Sequence, residues 1–332
     1  MRFLKRLFLL CLLLALGAGG LLAWFALSPL PLRSTPLDFT IESGMSLKKA
    51  SIAMEDAGLG FRHWQFQIFA RALRQAAAIK AGSYEVEQGV TPWQLLQKLT
   101  RGDVTQSEIR LVEGKTFRQF RAALDASPDL RHDTTGLNEA EIMQRIGAAE
   151  THPEGLFLPD TYLFAKHSSD LAVLRRAYLA MQSRYAREWA ARAPNLPYRT
   201  PYEGLIMASI VEKETGVPTD RPMVASVFVN RLRAGMLLQT DPSVIYGLGE
   251  EFDGNIRKRD LGADNPYNTY TRTGLPPTPI AMPGLAAIQA ALHPPPSDKY
   301  YFVARGDGSS QFSRTLDEHN RAVSKYILRK GH

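Results

Sequence analysis

The chain holds one cysteine among 332 residues, Cys11, and it lies inside an uninterrupted apolar run. A sequence so poor in cysteine carries no disulfide framework, and beyond that run it offers no thiolate nucleophile. Seven histidines are present, but none stands in an HExxH pair or at ligand spacing from a cysteine, so no resident metal is expected. There is no glycine-rich phosphate loop, no GxGxxG following a strand and no GxSxG elbow. Nucleotide and other organic cofactors are therefore not expected, and a serine nucleophile has no local support. Side-chain carboxylates remain as candidates for chemistry.

What the chain has in place of these is a single long apolar segment, Leu7 to Leu27, without one charged residue. About 20 apolar residues carry a helix across a bilayer. Arg2, Lys5 and Arg6 precede the segment, while Arg33, Asp38 and Glu42 follow it. The positive-inside bias leaves residues 1–6 as a cytoplasmic tail and puts the bulk of the chain on the outer face. The alternative is a cleaved signal peptide, with the small residues Ala15 to Gly20 as the processing region. Apolar residues resume at Leu21 and Leu22 and run past Trp24 and Phe25, which favours retention. Leu9 and Leu10 are too large for Cys11 to be a lipoprotein acceptor.

About 300 of the 332 residues follow this segment, a length that suits two domains. The net charge of +7 suits an anionic polymer or membrane face, and an exported chain does not meet nucleic acid. At 22% charged residues, ordinary solvated charge explains it equally well.

A small pattern repeats after the anchor. Ile41-Glu-Ser-Gly44-Met-Ser46 precedes Leu47, Ala50 and Met54 at helical spacing, and Val86-Glu-Gln-Gly89-Val-Thr91 precedes Leu95, Leu96 and Leu99. Val112-Glu-Gly114-Lys-Thr116 before Phe117 and Phe120 is a weaker third copy. Each reads as a strand, a glycine turn, a Ser or Thr N-cap and an amphipathic helix. The pattern resembles a LysM-type module, a small αβ fold that binds N-acetylated glycans, although any strand–turn–helix unit gives something similar. Residues 60–80 read as an inserted helix whose apolar face holds Trp64, Phe66, Ile68, Phe69 and Ala70 beside His63. Asp170 to Ala193 reads as a long basic helix with one solvated face.

Further on, Leu205 to Glu214 and Arg221 to Gly235 read as helices, with Gly216 and Pro218 ending the first. Gln239 to Pro242 reads as a turn, and the proline-rich stretch Gly274 to Pro283 as an ordered wall without regular structure. Tyr300 to Ala304 and Gln311 to Ser313 read as a hairpin. In the first of these helices, Glu212 and Glu214 are two residues apart and so face different ways. Glu214 continues the face of Met207, Ile210 and Val211; Glu212 continues that of Leu205, Ala208 and Ser209. The more apolar face and the helix C-terminus both favour a protonated Glu214, the state of a general acid. Glu212 reads as a surface or helix-orienting carboxylate.

Three blocks then carry a resemblance: Met207 to Thr215 (MASIVEKET), Val224 to Leu232 (VASVFVNRL) and Leu238 to Gly247 (LQTDPSVIYG). Together with Pro153 to Tyr162, Tyr267 to Tyr270, Thr273 to Pro277, Tyr301 to Ala304, Phe312 and Glu318 to Asn320, they resemble the endolytic murein transglycosylase family, also called YceG-like. Ser309 and Ser310 depart from it, standing where the family often has Gly-His. The resemblance implies an α+β chain: one N-terminal transmembrane helix (7–27), a small LysM-like αβ module (35–108) and a larger mixed α+β catalytic domain (109–330). It implies a bacterial inner-membrane enzyme with its bulk in the periplasm. Such an enzyme cuts the MurNAc–GlcNAc bond within peptidoglycan strands to leave 1,6-anhydro-MurNAc ends, alongside peptidoglycan synthases and without metal or cofactor. It makes Glu214 the catalytic residue. Asn230, Gln239, Thr240, Asp241, Tyr267, Asn268 and Tyr270 are the candidates for substrate contact, with Asp160 weaker. The alternatives are a non-catalytic peptidoglycan-binding membrane scaffold and a hydrolytic muramidase.

Overall fold

The computed structural model describes residues 2–42 and 44–328. Met1, Ser43 of the first repeat and residues 329–332 lie outside the described residues, as do the side chains of residues 2–4 and Cys11. The chain forms two units. The first runs to Glu108 and includes Asp129–Arg131 and Leu163–Ser168; the second holds Ile109–Pro128, His132–Tyr162 and the chain from Ser169 onward.

The first unit opens on helix α1, Arg2–Leu27. From Lys5 to Leu27 it is long and apolar enough to cross a membrane. Strand β1 (Leu37–Ile41) leads to α2 (Leu47–Ala57) and α3 (His63–Ala72), and β2 (Gly82–Val86) is followed by α4 (Pro92–Arg101). β1 and β2 pair antiparallel, with Phe39 opposite Tyr84. Their rings stack at 5.7 Å on the core side. Met54, Phe66, Phe69, Leu95, Leu96 and Leu99 complete this core, and Leu22, Phe25 and Ala26 enter it from the end of α1, with Leu30 just beyond the helix.

All three copies of the repeat form as their local chemistry dictates. Ser46 caps α2, Thr91 caps α4 and Thr116 caps α5 (Phe117–Asp125), each side-chain oxygen accepting the amide of the third residue on. The turn glycines Gly44, Gly89 and Gly114 have φ of +83°, +92° and +73°, a region that costs other residues strain. The inserted helix departs from expectation. Trp64 and Ile68 are 53% and 51% exposed, while Phe66, Phe69 and Ala70 are buried. Residues 66, 69 and 70 share one helical face at i, i+3 and i+4; 64 and 68 lie on another.

Strands β3 (Gln106–Leu111) and β4 (Asp160–Ala165) each run across the division between the units, and α5, α6 (Glu139–Ile146) and α7 (Asp170–Ala190) belong to the second. Then come α8 (Pro201–Glu214), α9 (Arg221–Arg233), α10 (Asp241–Leu248), α11 (Lys258–Gly262) and α12 (Leu285–Leu292). The hairpin β5 (Tyr301–Ala304) and β6 (Ser310–Ser313) pairs antiparallel, and α13 (Leu316–Tyr326) ends the described chain. The basic helix α7 buries Val173, Leu174, Ala177, Tyr178, Met181 and Tyr185 and turns its arginines out.

Two expectations are corrected here. Gln239 to Pro242 is not a complete turn, because Asp241 and Pro242 already form the first turn of α10, where proline loses no hydrogen bond. Gly216 does not stop α8 in a left-handed conformation; Thr215 ends it in extended backbone, its hydroxyl accepting the amide of Val217 at 3.1 Å.

Candidate active site

Helix α8 decides where the carboxylates point. Thr200 caps it and Pro201 begins it. Gly204 through Val211 are then buried without interruption, so the helix is enclosed on all sides and not on one stripe. α12 packs along it, and Ile280 of the proline-rich wall donates its amide to Ser209 Oγ at 3.0 Å. This corrects the comparison of two faces: Leu205, Ala208 and Ser209 are as buried as Met207, Ile210 and Val211. What distinguishes Glu214 is its place as the last helical residue.

The two glutamates face apart. Glu212 Oε2 accepts the amide of Gly284 at 2.9 Å, at the start of α12. It is thus no free surface group but joins the end of α8 to the beginning of α12. Glu214 Oε2 instead accepts the hydroxyl of Thr240 at 2.7 Å. Burial lifts the Glu214 carboxyl above its ordinary range, and the charge of Asp241 adds to the lift. Thr240 and Arg231 oppose it. Burial raises Glu212 as well, against the Gly284 amide. Position at the helix C-terminus adds further cost to a charged Glu214.

Around Glu214 the structure gathers part of the expected set. Thr240 is 1% exposed, and its amide donates to Thr269 Oγ1 at 3.0 Å. Ser243 Oγ lies 2.9 Å from the same Thr269 oxygen. Tyr270 donates its hydroxyl to Asp241 Oδ1 at 2.5 Å, and its own ionisation is pushed up by burial, then by Asp241 and by Glu214. Gln239 is exposed, with its amide on Thr269 O at 3.0 Å. Its φ of +50° is a conformation that non-glycine residues hold only where the surrounding structure imposes it, often at functional sites.

Other candidates are engaged elsewhere. Asn230 gives both amide hydrogens to main-chain carbonyls, Ser297 O and Lys299 O, each at 2.9 Å. Asn268 is 1% exposed. Its Nδ2 bonds Asp260, Leu261 and Ala263 carbonyls and its Oδ1 takes the Tyr270 amide. It shapes the loop that delivers Tyr270 and has no atom left for a ligand. Tyr267 packs edge-on to Tyr246 at 4.9 Å and its hydroxyl meets Thr278 at 2.9 Å. Asp160 is exposed and accepts the amide of Thr161.

Two residues went unnoticed in the sequence. Arg231 is buried, donating to Tyr300 O at 2.7 Å and to Leu238 O at 2.8 Å, with its guanidinium 5.2 Å from the Tyr301 ring. Its signal was an arginine two residues beyond the buried run Val224 to Val229. Glu154 is 3% exposed; it takes the Phe117 amide on both oxygens and the Tyr246 hydroxyl at 3.2 Å, and burial raises its carboxyl to about 8. Its signal was a charged residue between Pro153 and the apolar Leu156 and Phe157.

Asp125, His132 and Asp170 place possible metal-ligating atoms within 4.8 Å of one another. The Asp170 carboxylate, however, is already bonded by the amides of Asp133 and Thr134 and the Thr134 hydroxyl, which makes it a turn-organising group.

Comparison with known proteins places the chain in a family. The family model described as the YceG-like family matches residues 39–325. A Bacillus subtilis protein named endolytic murein transglycosylase is 31% identical over 89% of this chain and 86% of its own length. A Streptococcus pneumoniae protein of the same name is 27% identical over 87% of this chain, which spans only 58% of that longer relative. The crystal structure of a yceG-like protein from Listeria monocytogenes superposes with a TM-score of 0.54 at 31% identity, covering 86% of this chain and 98% of the other. The chain belongs to the YceG-like family.

Proposed function

We propose that this chain is an endolytic murein transglycosylase that cuts the bond between N-acetylmuramic acid and N-acetylglucosamine within peptidoglycan strands. The relatives that carry that name over most of this chain support the reading. The observation that carries the residue assignment is the half-buried Glu214 at the end of an enclosed helix, its carboxyl raised above the ordinary range by burial, with the Thr240 hydroxyl on one oxygen.

The reaction needs one carboxyl group. Glu214 gives its proton to the glycosidic oxygen as the C1–O bond breaks. The resulting carboxylate takes the proton from the C6 hydroxyl of the same muramyl sugar as that oxygen bonds to C1. The product is a 1,6-anhydro end, and Glu214 is again protonated. Water is not the nucleophile, so the second carboxylate that hydrolytic glycosidases use to activate it is not required. Positive charge developing at C1 is met by the N-acetyl oxygen of the substrate and by Asp241 with its Tyr270 partner. Gln239, Thr240 and Tyr270 contact the sugar; Asn230, Tyr267 and Asn268 hold the walls that position them.

α1 anchors the chain in the bacterial inner membrane, with the basic residues before it in the cytoplasm and the bulk in the periplasm. The βααβ arrangement of β1, α2, α3 and β2 acts as a LysM-like glycan-binding module. Beside peptidoglycan synthases, cleavage of strands near the membrane ends their elongation.

The test is product analysis on purified sacculi by mass spectrometry. Glu214→Gln abolishes release of anhydromuropeptides while Glu212→Gln, which keeps an acceptor for Gly284, retains it. Full activity of Glu214→Gln would sink the assignment. Reducing ends without anhydro ends would make the protein a hydrolase, and sacculus binding without products a scaffold.

A further inference from the structure

The exposed face of α3 is apolar at the point where it meets the membrane helix. Trp64 and Ile68 stand one turn apart on α3, and Ala72 continues the row one turn later. Together with Ala18, Leu21, Leu22, Trp24 and Phe25 of α1, Trp64, Gln65 and Ile68 line one groove. The other face of α3 is what ties the two helices together: Phe69 meets Phe25 edge-on at 5.7 Å within the core that also takes Leu22, Ala26 and Leu30. The depth of α3 relative to α1 is therefore set by packing.

That depth conflicts with a module standing clear of the bilayer. Hydrocarbon is about 30 Å thick and a helix rises about 1.5 Å per residue. Leu7 to Leu27 is just sufficient. If the turns from Leu22 onward lay above the membrane with the module, Leu7 to Leu21 would span only about 21 Å. The apolar segment meets the thickness only if Leu22 to Leu27, and α3 packed against them, lie within the outer leaflet. Arg62, Arg71 and Arg74 are exposed on and beside α3, as basic residues are on helices that lie at a bilayer surface. Trp24 and Trp64 are the residue type that collects at such interfaces.

We propose that α3 is an interfacial helix: Trp64 and Ile68 are inserted among the acyl chains of the outer leaflet, and phospholipid tails fill the groove between α3 and α1. The module is thereby seated on the bilayer in a fixed orientation and is not held off it on a free tether. This rests on the proposed membrane insertion of α1 and adds to it a second, separate contact.

The test uses the full chain in phospholipid nanodiscs at one copy per disc, with a single tryptophan retained at 64 or, in a companion, at 24. The other tryptophans are replaced by Phe. Lipids brominated along the acyl chain quench tryptophan on contact. Expected is a loss of about half or more of the Trp64 emission, close to that at Trp24, with little quenching by aqueous acrylamide. Trp64→Phe in the otherwise native chain gives the same answer by difference, and circular dichroism checks the fold of each variant. Quenching of Trp24 with an acrylamide-accessible Trp64 overturns the seating and leaves the anchor standing. Absence of lipid quenching at both positions overturns the anchor as well. Shielding of Trp64 only in discs that hold two copies overturns lipid as the occupant in favour of a second chain.

Discussion

Thr240 donates its hydroxyl hydrogen to Oε2 of Glu214 across 2.7 Å, and it is held there by its own backbone N–H, which donates to Thr269 Oγ1. This bond favours the charged carboxylate, against burial, which favours the acid. In the proposed reaction Thr240 would thereby set the balance between giving and regaining a proton. Thr240→Val removes the donor at nearly constant volume, so the Glu214 pKa rises further. A general acid is lost as pH rises through its pKa. The high-pH limb of the activity profile on sacculi should therefore move to higher pH, with reduced maximal activity. A limb that stays in place or moves down would contradict the role given to this bond.

Arg231 bridges α9 to Tyr300 O and Leu238 O in the interior. Its charge also lowers the Glu214 pKa. Arg231→Met leaves buried carbonyls unpaired and should cost about 2–4 kcal/mol in denaturant melts. Arg231→Lys keeps the charge but lacks the planar fork and should recover only part of that loss. Equal stability of Arg231→Met and the native chain would show that the guanidinium bonds contribute nothing net.

Glu154 makes a pH prediction. Burial pushes its folded-state pKa up to about 8, above the 4.5 of an ordinary glutamate. Between these values the folded chain binds more protons than the unfolded one, so stability falls as pH rises, by about 1.4 kcal/mol per unit. Its contribution is fully present below the unfolded pKa and is lost as pH rises through the folded one. Glu154→Gln mimics the protonated acid and should flatten this decline between about pH 4.5 and 8. Thermal melts across that window check it, and an unchanged slope in the variant would remove Glu154 as the source.

Gly204 lies in α8 against Tyr185 and Trp189 of α7 and Leu292 of α12. A Cβ there would stand 2.6 Å from Tyr185 Oη, 2.9 Å from Trp189 and 3.2 Å from Leu292. Gly204→Ala normally strengthens a helix, but here the ring positions must shift. The net effect should be a destabilisation of about 1–3 kcal/mol by denaturant titration, with activity lowered through the displaced end of α8. A stabilised variant would show that α7 gives way freely.

Glu212 and Gly284 join α8 to α12 at 2.9 Å. Glu212→Ala deletes the acceptor and should lower activity several-fold while leaving the pH profile in place, because Glu214 keeps its own partners. A profile displaced together with the rate would mean that Glu212 takes part in the proton transfers.

Several features were legible in the sequence because their causes are local. Ser46, Thr91 and Thr116 each cap the helix expected of them, and a glycine precedes each at positive φ. A hydroxyl and an amide three residues apart need no tertiary partner to find one another. The hairpin Tyr301–Ala304 with Ser310–Ser313 and the apolar α1 were legible for the same reason. Gln239 and Asp241 beside Glu214 came from longer blocks, through resemblance and not through spacing.

What surrounds each helix was not legible. The run Leu205 to Val211 reads as one apolar face and one mixed face, yet it is buried all round. Periodicity reports one amphipathic stripe and cannot register enclosure by elements far away in the chain. Asn268 looked like a cleft amide until three carbonyls were folded around it. Trp64 and Ile68 looked like core and face outward. By itself the sequence determined the caps, the glycine turns before them, the membrane-length helix and the presence of two glutamates at the end of α8. Only the tertiary structure decided that Glu212 meets a backbone amide and Glu214 a hydroxyl. Those partners lie 72 and 26 residues further along the chain, and at such separations pairing is set by how whole elements pack and not by the residues next to either carboxylate.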